Sequence, residues 1–137
     1  MYRTLSFSGI PNPQKQHASI MARFAAECLI QMEHLVENLS KTLGRDTMEL
    51  DLRVGLHSGP TTAGVLRGDR TRFQLFGDTV NTAARMESNG IPGKIHLSQQ
   101  TADKLIEDGK GHWLLPREGL IDAKGKGKMK TYWMIVK

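Results

Sequence analysis

Between His17 and Leu43 the apolar residues Met21, Phe24, Ala25, Cys28, Met32, Leu35, Val36, Leu39 and Leu43 recur at spacings of three and four. That period predicts a long amphipathic helix with one continuous buried stripe, and Gly44 is a good stop for it. The period then changes: Leu50, Leu52, Val54 and Leu56 alternate with Asp51, Arg53, Gly55 and His57, which predicts a strand with one face in the core. Upstream, "LSFSG" (5–9) reads as the tail of a strand that the prolines of "IPNPQ" end.

Downstream, "HSGPTTAG" predicts a turn and a short helix, and "RFQLF" predicts a strand. "FGDTVNTAARMES" (76–88) is a Gly-Asp turn followed by a helical run, with Asp78 or Thr79 as its cap. "IPGKIHLS" gives a turn and a short strand, after which Ser98 caps a helix reaching about Asp108, where "DGKG" stops it. "HWLLP" and "KTYWMIV" read as two strands that pair as a hairpin around a lysine-rich loop. The order strand, helix, strand, strand, helix, strand, helix, strand, strand predicts an α/β or α+β sheet domain covered by helices.

Composition narrows the class. A chain of 137 residues that is 39% apolar suffices for one domain and is short for two. No run approaches 18 apolar residues, and no basic segment followed by an apolar one opens the chain, so neither a membrane span nor a secretory signal is visible. The single cysteine, Cys28, cannot form an internal disulfide and is expected to be a small core residue. His57 is expected to bond at a strand end, His17 to start a helix, and Trp113 and Trp133 to be core or interface aromatics.

The net charge of +5 is unevenly placed: residues 1–109 balance 12 cations against 12 anions, whereas 110–137 carry 7 against 2. "AKGKGKMK" sets Lys124, Lys126, Lys128 and Lys130 on alternate positions, so an extended chain would put them on one face, repelling one another unless an anion sat nearby. Two readings stand: a solvated edge strand protected by lysines, or a phosphate contact that the glycines let approach closely. No aromatics interleave with these lysines, so nucleic acid is not the expected partner.

Asn81 and Arg85 are four residues apart, just over one helical turn, so the amide and the guanidinium share a face. Arginine offers a fixed fork of donors for phosphate or carboxylate, and the amide one donor and one acceptor. Such a wall can grip a ribose oxygen and a phosphoryl oxygen together. The bland reading is an exposed Arg beside an Asn that bonds locally.

"LRVGLHSGPTTAGVLRG", "RFQLFGDTVNTAARMESNGIPGKIHLS" and "AKGKGKMKTYW" occur in that order, and together they closely resemble the catalytic domain of class III nucleotide cyclases, the adenylate and guanylate cyclases, over residues 5–137. The resemblance implies an α+β (α/β sandwich), ferredoxin-like cyclase fold, a mixed sheet covered by helices with its N-terminal strand and helices missing. It implies one partial catalytic domain, 1–137, of a lyase that closes the ribose 3'-hydroxyl of GTP or ATP onto the α-phosphate, releasing pyrophosphate and forming cGMP or cAMP for intracellular signalling. Two such domains pair head to tail in the family, as homo- or heterodimers, and share their active sites.

By resemblance Asn81 orients the ribose and Arg85 stabilises charge on the α-phosphate in the transition state. Lys124, with Lys126 as the alternative, would contact the departing phosphates. Phe76, Gly77, Asp78, Thr79 and Val80 would set the strand-to-helix turn beside the nucleotide, with Asp78 structural. Gln74, seven before Asn81, stands where the family reads the base. Its amide can serve adenine or guanine, although "FGDTVNTAARMES" looks nearer the guanylate and receptor-type branch.

The family also uses two divalent ions, Mg2+ or Mn2+, held by two aspartates. In the family those aspartates lie N-terminal to where this sequence begins, and Asp51, Asp69 and Asp78 match no such motif, so no metal ligand is assigned. Two explanations follow: a fragment of a larger cyclase, such as a membrane receptor type whose domain sits on the cytoplasmic face, or a natural half that pairs with a metal-bearing partner. The first is favoured. Either way, the chain alone is expected to be inactive, marginally stable and prone to aggregate. The alternative function is a non-catalytic cyclase-like module that binds nucleotide or pairs with a metal-bearing cyclase domain.

Overall fold

The computed structural model describes residue 6 and residues 15–43, 52–60, 62–66, 72–123 and 127–135; at 43, 62–66, 72–76 and 123 it describes backbone only. The expected strand at 5–9 and the stretch 50–51 therefore lie outside the described residues.

Helix α1 runs His17–Leu43, 27 residues, with the bounds its periodicity predicts. The face it buries differs from the expected one. Ala18, Ser19, Ala22, Ala25 and Leu29 are the buried positions, of which only Ala25 belongs to the expected stripe, whereas Phe24 is 51% and Leu35 48% exposed. Three alanines at the contact let α1 approach its neighbours closely, and a Phe there would hold them apart. Cys28 is half-buried rather than a core residue, and it is a free thiol.

The main sheet is mixed. Strands β1 (Val54–Leu56), β4 (Ile95–Ser98), β8 (Thr131–Met134) and β5 (Leu114–Pro116) lie in the order β1-β4-β8-β5. β1 runs parallel to β4, and β8 runs antiparallel to both β4 and β5. The β5–β8 pairing is the expected one, with Leu114 opposite Met134. One ribbon pairs β2 (Thr62–Leu66) with β3 (Arg72–Phe76), and another pairs β6 (Ile121–Ala123) with β7 (Gly127–Met129). The helix expected within "HSGPTTAG" is thus corrected to a turn followed by a strand. β2 has a five-residue antiparallel partner in β3 that local propensity does not reveal.

Side-chain alternation gives the main sheet two different faces. Leu56, Ile95, Leu97, Tyr132 and Met134 form the apolar core with α1 and with Ala102 and Leu105 of α3 (Gln99–Glu107). On the other face lies α2 (Asp78–Ser88), which buries Thr82 and Met86. His96 of β4 is fully buried and bonded to the Met86 carbonyl on that side.

Ser98 caps α3 as its sequence predicts. Its side chain accepts from the Thr101 amide at 3.4 Å, and its hydroxyl also lies 2.7 Å from His57 Nδ1. Because this fully buried hydroxyl serves the cap and a neighbouring ring together, Ser98→Ala is expected to cost about 2 kcal/mol. Urea unfolding would measure it, and an unchanged midpoint would remove this role from Ser98.

Candidate active site

Helix α2 carries the candidate pair, and its position is fixed at both ends. β3 stops at Phe76, Gly77 adopts φ 112°, and α2 starts at Asp78. A positive φ of this kind favours glycine. The expected side-chain cap is not there: Gly77 is the N-cap, with no side-chain bond to the helix end. Asp78 is the first helical residue, where a carboxylate faces the positive end of the helix dipole. The Thr79 hydroxyl turns outward instead, donating to the Pro60 carbonyl in the loop after β1. A Cβ on Gly59 would lie 2.7 Å from that hydroxyl, so the bare backbone there permits the close approach.

Farther along, the helix lies directly on β1. The Cβ that Gly55 lacks would fall 2.1 Å from the Glu87 amide nitrogen, so a strand backbone and a helix backbone touch without a side chain between them. Arg53 Nη2 and Glu87 Oε2 form an ion pair at 3.1 Å across the same junction.

Asn81 is exposed and Arg85 half-buried, each one residue before a position that faces the sheet, Thr82 and Met86. The two share a helical face at the edge of the packed surface, with Val80 half-buried beside them. Among the described residues no carboxylate pairs with the Arg85 guanidinium, so its five donors are available to an anion. In the β2–β3 ribbon Gln74 is opposite Gly64 and Phe76 opposite Thr62. Lys124 and Lys126 lie outside the described residues; the Ala123↔Gly127 pairing brackets them. Of the other two alternate lysines, Lys128 belongs to β7, while Lys130 follows it and places its ammonium 5.5 Å from the Tyr132 ring centroid.

Among the described residues no three His, Cys, Asp or Glu side chains come together. The Asn81 amide offers a divalent cation a single oxygen and the Arg85 guanidinium repels it, so the pair does not supply the several oxygen ligands such an ion takes. Sequence reasoning missed the polar support beneath α2, built on His96 and Arg117. The available signal was a histidine between the two apolar residues of β4, Ile95 and Leu97.

A family model described as the adenylate and guanylate cyclase catalytic domain matches residues 4–136. The chain is 42% identical over 127 residues to receptor-type guanylate cyclase gcy-28 of Caenorhabditis elegans, covering 93% of this chain and 9% of that protein. It is likewise 42% identical over 127 residues to the rat guanylate cyclase soluble subunit beta-2, covering 93% and 17%. The guanylate cyclase domain of RhGC from Catenaria anguillulae, solved in complex with GTP, superposes with a TM-score of 0.75 at 35% identity, covering 95% of this chain and 65% of that one. The chain belongs to the adenylate and guanylate cyclase catalytic domain family, and its mixed sheet with helices has the α+β cyclase fold. It spans 9% and 17% of the length of those two curated relatives.

Proposed function

We propose that this chain is a single partial cyclase catalytic domain contributing Asn81, Arg85 and Lys124 to the conversion of GTP into cGMP and pyrophosphate. The observation that carries the reading is α2. The Gly77 turn and the Gly55 contact hold it rigidly, while on one face it presents an amide and a guanidinium that has no carboxylate partner among the described residues. GTP is preferred to ATP because the relatives at about two-fifths identity are named guanylate cyclases and the RhGC domain was solved with GTP.

In the reaction the 3'-oxygen forms a bond to the α-phosphorus as the bond from that phosphorus to the bridging oxygen of the β-phosphate breaks. The 3'-hydroxyl proton leaves to a base or to solvent. Asn81 holds the ribose so that the 3'-oxygen is in line, which converts binding into orientation. Arg85 meets the charge that gathers on the α-phosphate oxygens, and Lys124, or Lys126 in its stead, meets pyrophosphate as it departs. Cyclase domains of this family use divalent ions, Mg2+ or Mn2+, and none of the described residues is assigned to hold one. A second cyclase domain paired head to tail completes the site. No helix among the described residues is long and apolar enough to cross a membrane; attachment would come through a parent chain, with the domain on the cytoplasmic face beside its nucleotide.

The test mixes this chain with a cyclase domain that keeps its metal aspartates but has lost its own Asn and Arg. The mixture is expected to form cGMP in excess of cAMP. No cyclic nucleotide at any ratio, with nucleotide still bound, would instead establish the non-catalytic module.

A further inference from the structure

The buried face under α2 contains a histidine whose protonation pattern is set by its partners. His96 Nδ1 lies 2.8 Å from the Met86 carbonyl, which can only accept, so Nδ1 carries the proton. Nε2 lies 3.3 Å from Arg117 Nη1, which can only donate, and 2.8 Å from Thr131 Oγ1, so Nε2 is the acceptor. Arg117 Nη1 also donates to the Asn89 carbonyl at 2.7 Å, at the C-cap of α2. One ring and one guanidinium thus hold two carbonyls of the segment that ends α2, and Met86 directly follows Arg85. The Trp133 ring completes the assembly, its centroid 4.8 Å from that of His96, with Arg117 above it at 4.9 Å.

We propose that His96, acting with Arg117 and Thr131, is a positioning residue that sets the rotation and height of α2, and therefore the aim of Asn81 and Arg85, only while its imidazole is neutral. The role in turnover rests on the function proposed above; the clamp on α2 does not. A second proton would go to Nε2. It would remove the acceptor that Arg117 and Thr131 use and put a cation 3.3 Å from a guanidinium. Among the described residues the charged groups around it offer no compensating anion: Arg117 follows β5, Lys94 precedes β4 with its ammonium 5.2 Å from the Trp133 centroid, and on α2 Glu87 is paired with Arg53.

Burial, and secondarily the Arg117 charge, hold His96 below its ordinary value of 6.5, against the opposing pull of the Met86 carbonyl. A depressed histidine stabilises the fold fully above the unfolded-state value near 6.5, and that contribution is lost as pH falls through the lower folded-state value. The expected acid sensitivity therefore begins below about pH 6.5.

Two measurements test the proposal. In a spectrum of the 15N-histidine-labelled chain at pH 7.5, His96 is expected to show a protonated Nδ1 and a bare Nε2, and the Asn81–Met86 amides to shift on acidification below 6.5. His96→Asn, which keeps a donor near the Nδ1 position, should abolish that shift while preserving the helix. In the mixed-domain cyclase assay His96→Asn should lower kcat per folded chain about tenfold with KM within twofold, and remove the acid limb of the kcat profile. His96→Leu should lose more. The reverse tautomer, or α2 amides that ignore pH, would overturn the clamp whether or not the mixture is active. Wild-type kcat per folded chain with an unchanged acid limb would overturn the catalytic positioning alone. Should His96→Leu not fold, the Asn variant and the wild-type spectrum still decide.

Discussion

Arg85→Ala is expected to lower cyclic nucleotide formation by about 10²–10³-fold, ~3–4 kcal/mol of transition-state stabilisation, with little change in the stability of the chain. The separation follows from what Arg85 does in the fold. Its backbone carbonyl is used heavily, accepting from the Asn89 amide, from Asn89 Nδ2 and from the Ser88 hydroxyl, and alanine keeps that carbonyl. Its side chain has no carboxylate partner among the described residues, and alanine is the best helix former. The loss should therefore fall on kcat, while KM changes by less than about threefold, since charge on the α-phosphate oxygens grows toward the transition state. Arg85→Lys restores a cation but not the planar fork, so it should recover part of the rate only. Steady-state kinetics in the mixed-domain assay, beside a thermal melt of each variant, decide the matter; an Ala variant within threefold of wild type would end the assignment.

The helices were legible in the chain because each repeats its signal over several turns. α1 matches its expected bounds, α3 starts at its serine cap, and α2 lies where the Gly-Asp turn puts it. What failed was decided by partners that the local pattern does not contain. β2 looked like a turn and a helix until β3 supplied its ladder. The expected stripe on α1 was rotated because the small residues Ala18 and Ala22 join Ala25, which the stripe did include, at the contact, and a hydrophobicity pattern weights Phe24 above them. The cap expected at Asp78 or Thr79 was lost to a competitor for the Thr79 hydroxyl, the Pro60 carbonyl. At the site, Asn81 and Arg85 could be picked out by spacing and resemblance, but the support under them could not. His96, Thr131 and Arg117 are separated by up to 35 residues, and only the β4–β8 pairing and the segment after β5 bring them together.

Gly55→Ala is expected to be the most damaging single methyl addition among the described residues, costing about 3 kcal/mol or more. In the sequence Gly55 alternates with the apolar positions of β1 and reads as a solvent-facing residue, yet α2 covers that face. The added Cβ would lie 2.1 Å from Glu87 N, 2.5 Å from the Met86 carbonyl carbon and 2.6 Å from Glu87 Cα. All three are main-chain atoms, so no side chain can swing aside, and relief requires the helix to retreat from the strand by roughly 1 Å. That retreat pulls on the Arg53–Glu87 pair and on the Met86 carbonyl that His96 holds, so stability and the aim of Arg85 fall together. With a typical total stability of about 5–15 kcal/mol, a loss of this size separates a folded population from a largely unfolded one at modest temperature. Gly111→Ala is the control, because its new methyl would meet a single side-chain atom, of Ile106, at 3.5 Å, an ordinary contact. Urea midpoints should place Gly111→Ala within about 0.5 kcal/mol of wild type and Gly55→Ala far below it. Equal midpoints would mean that α2 does not rest on the backbone of β1.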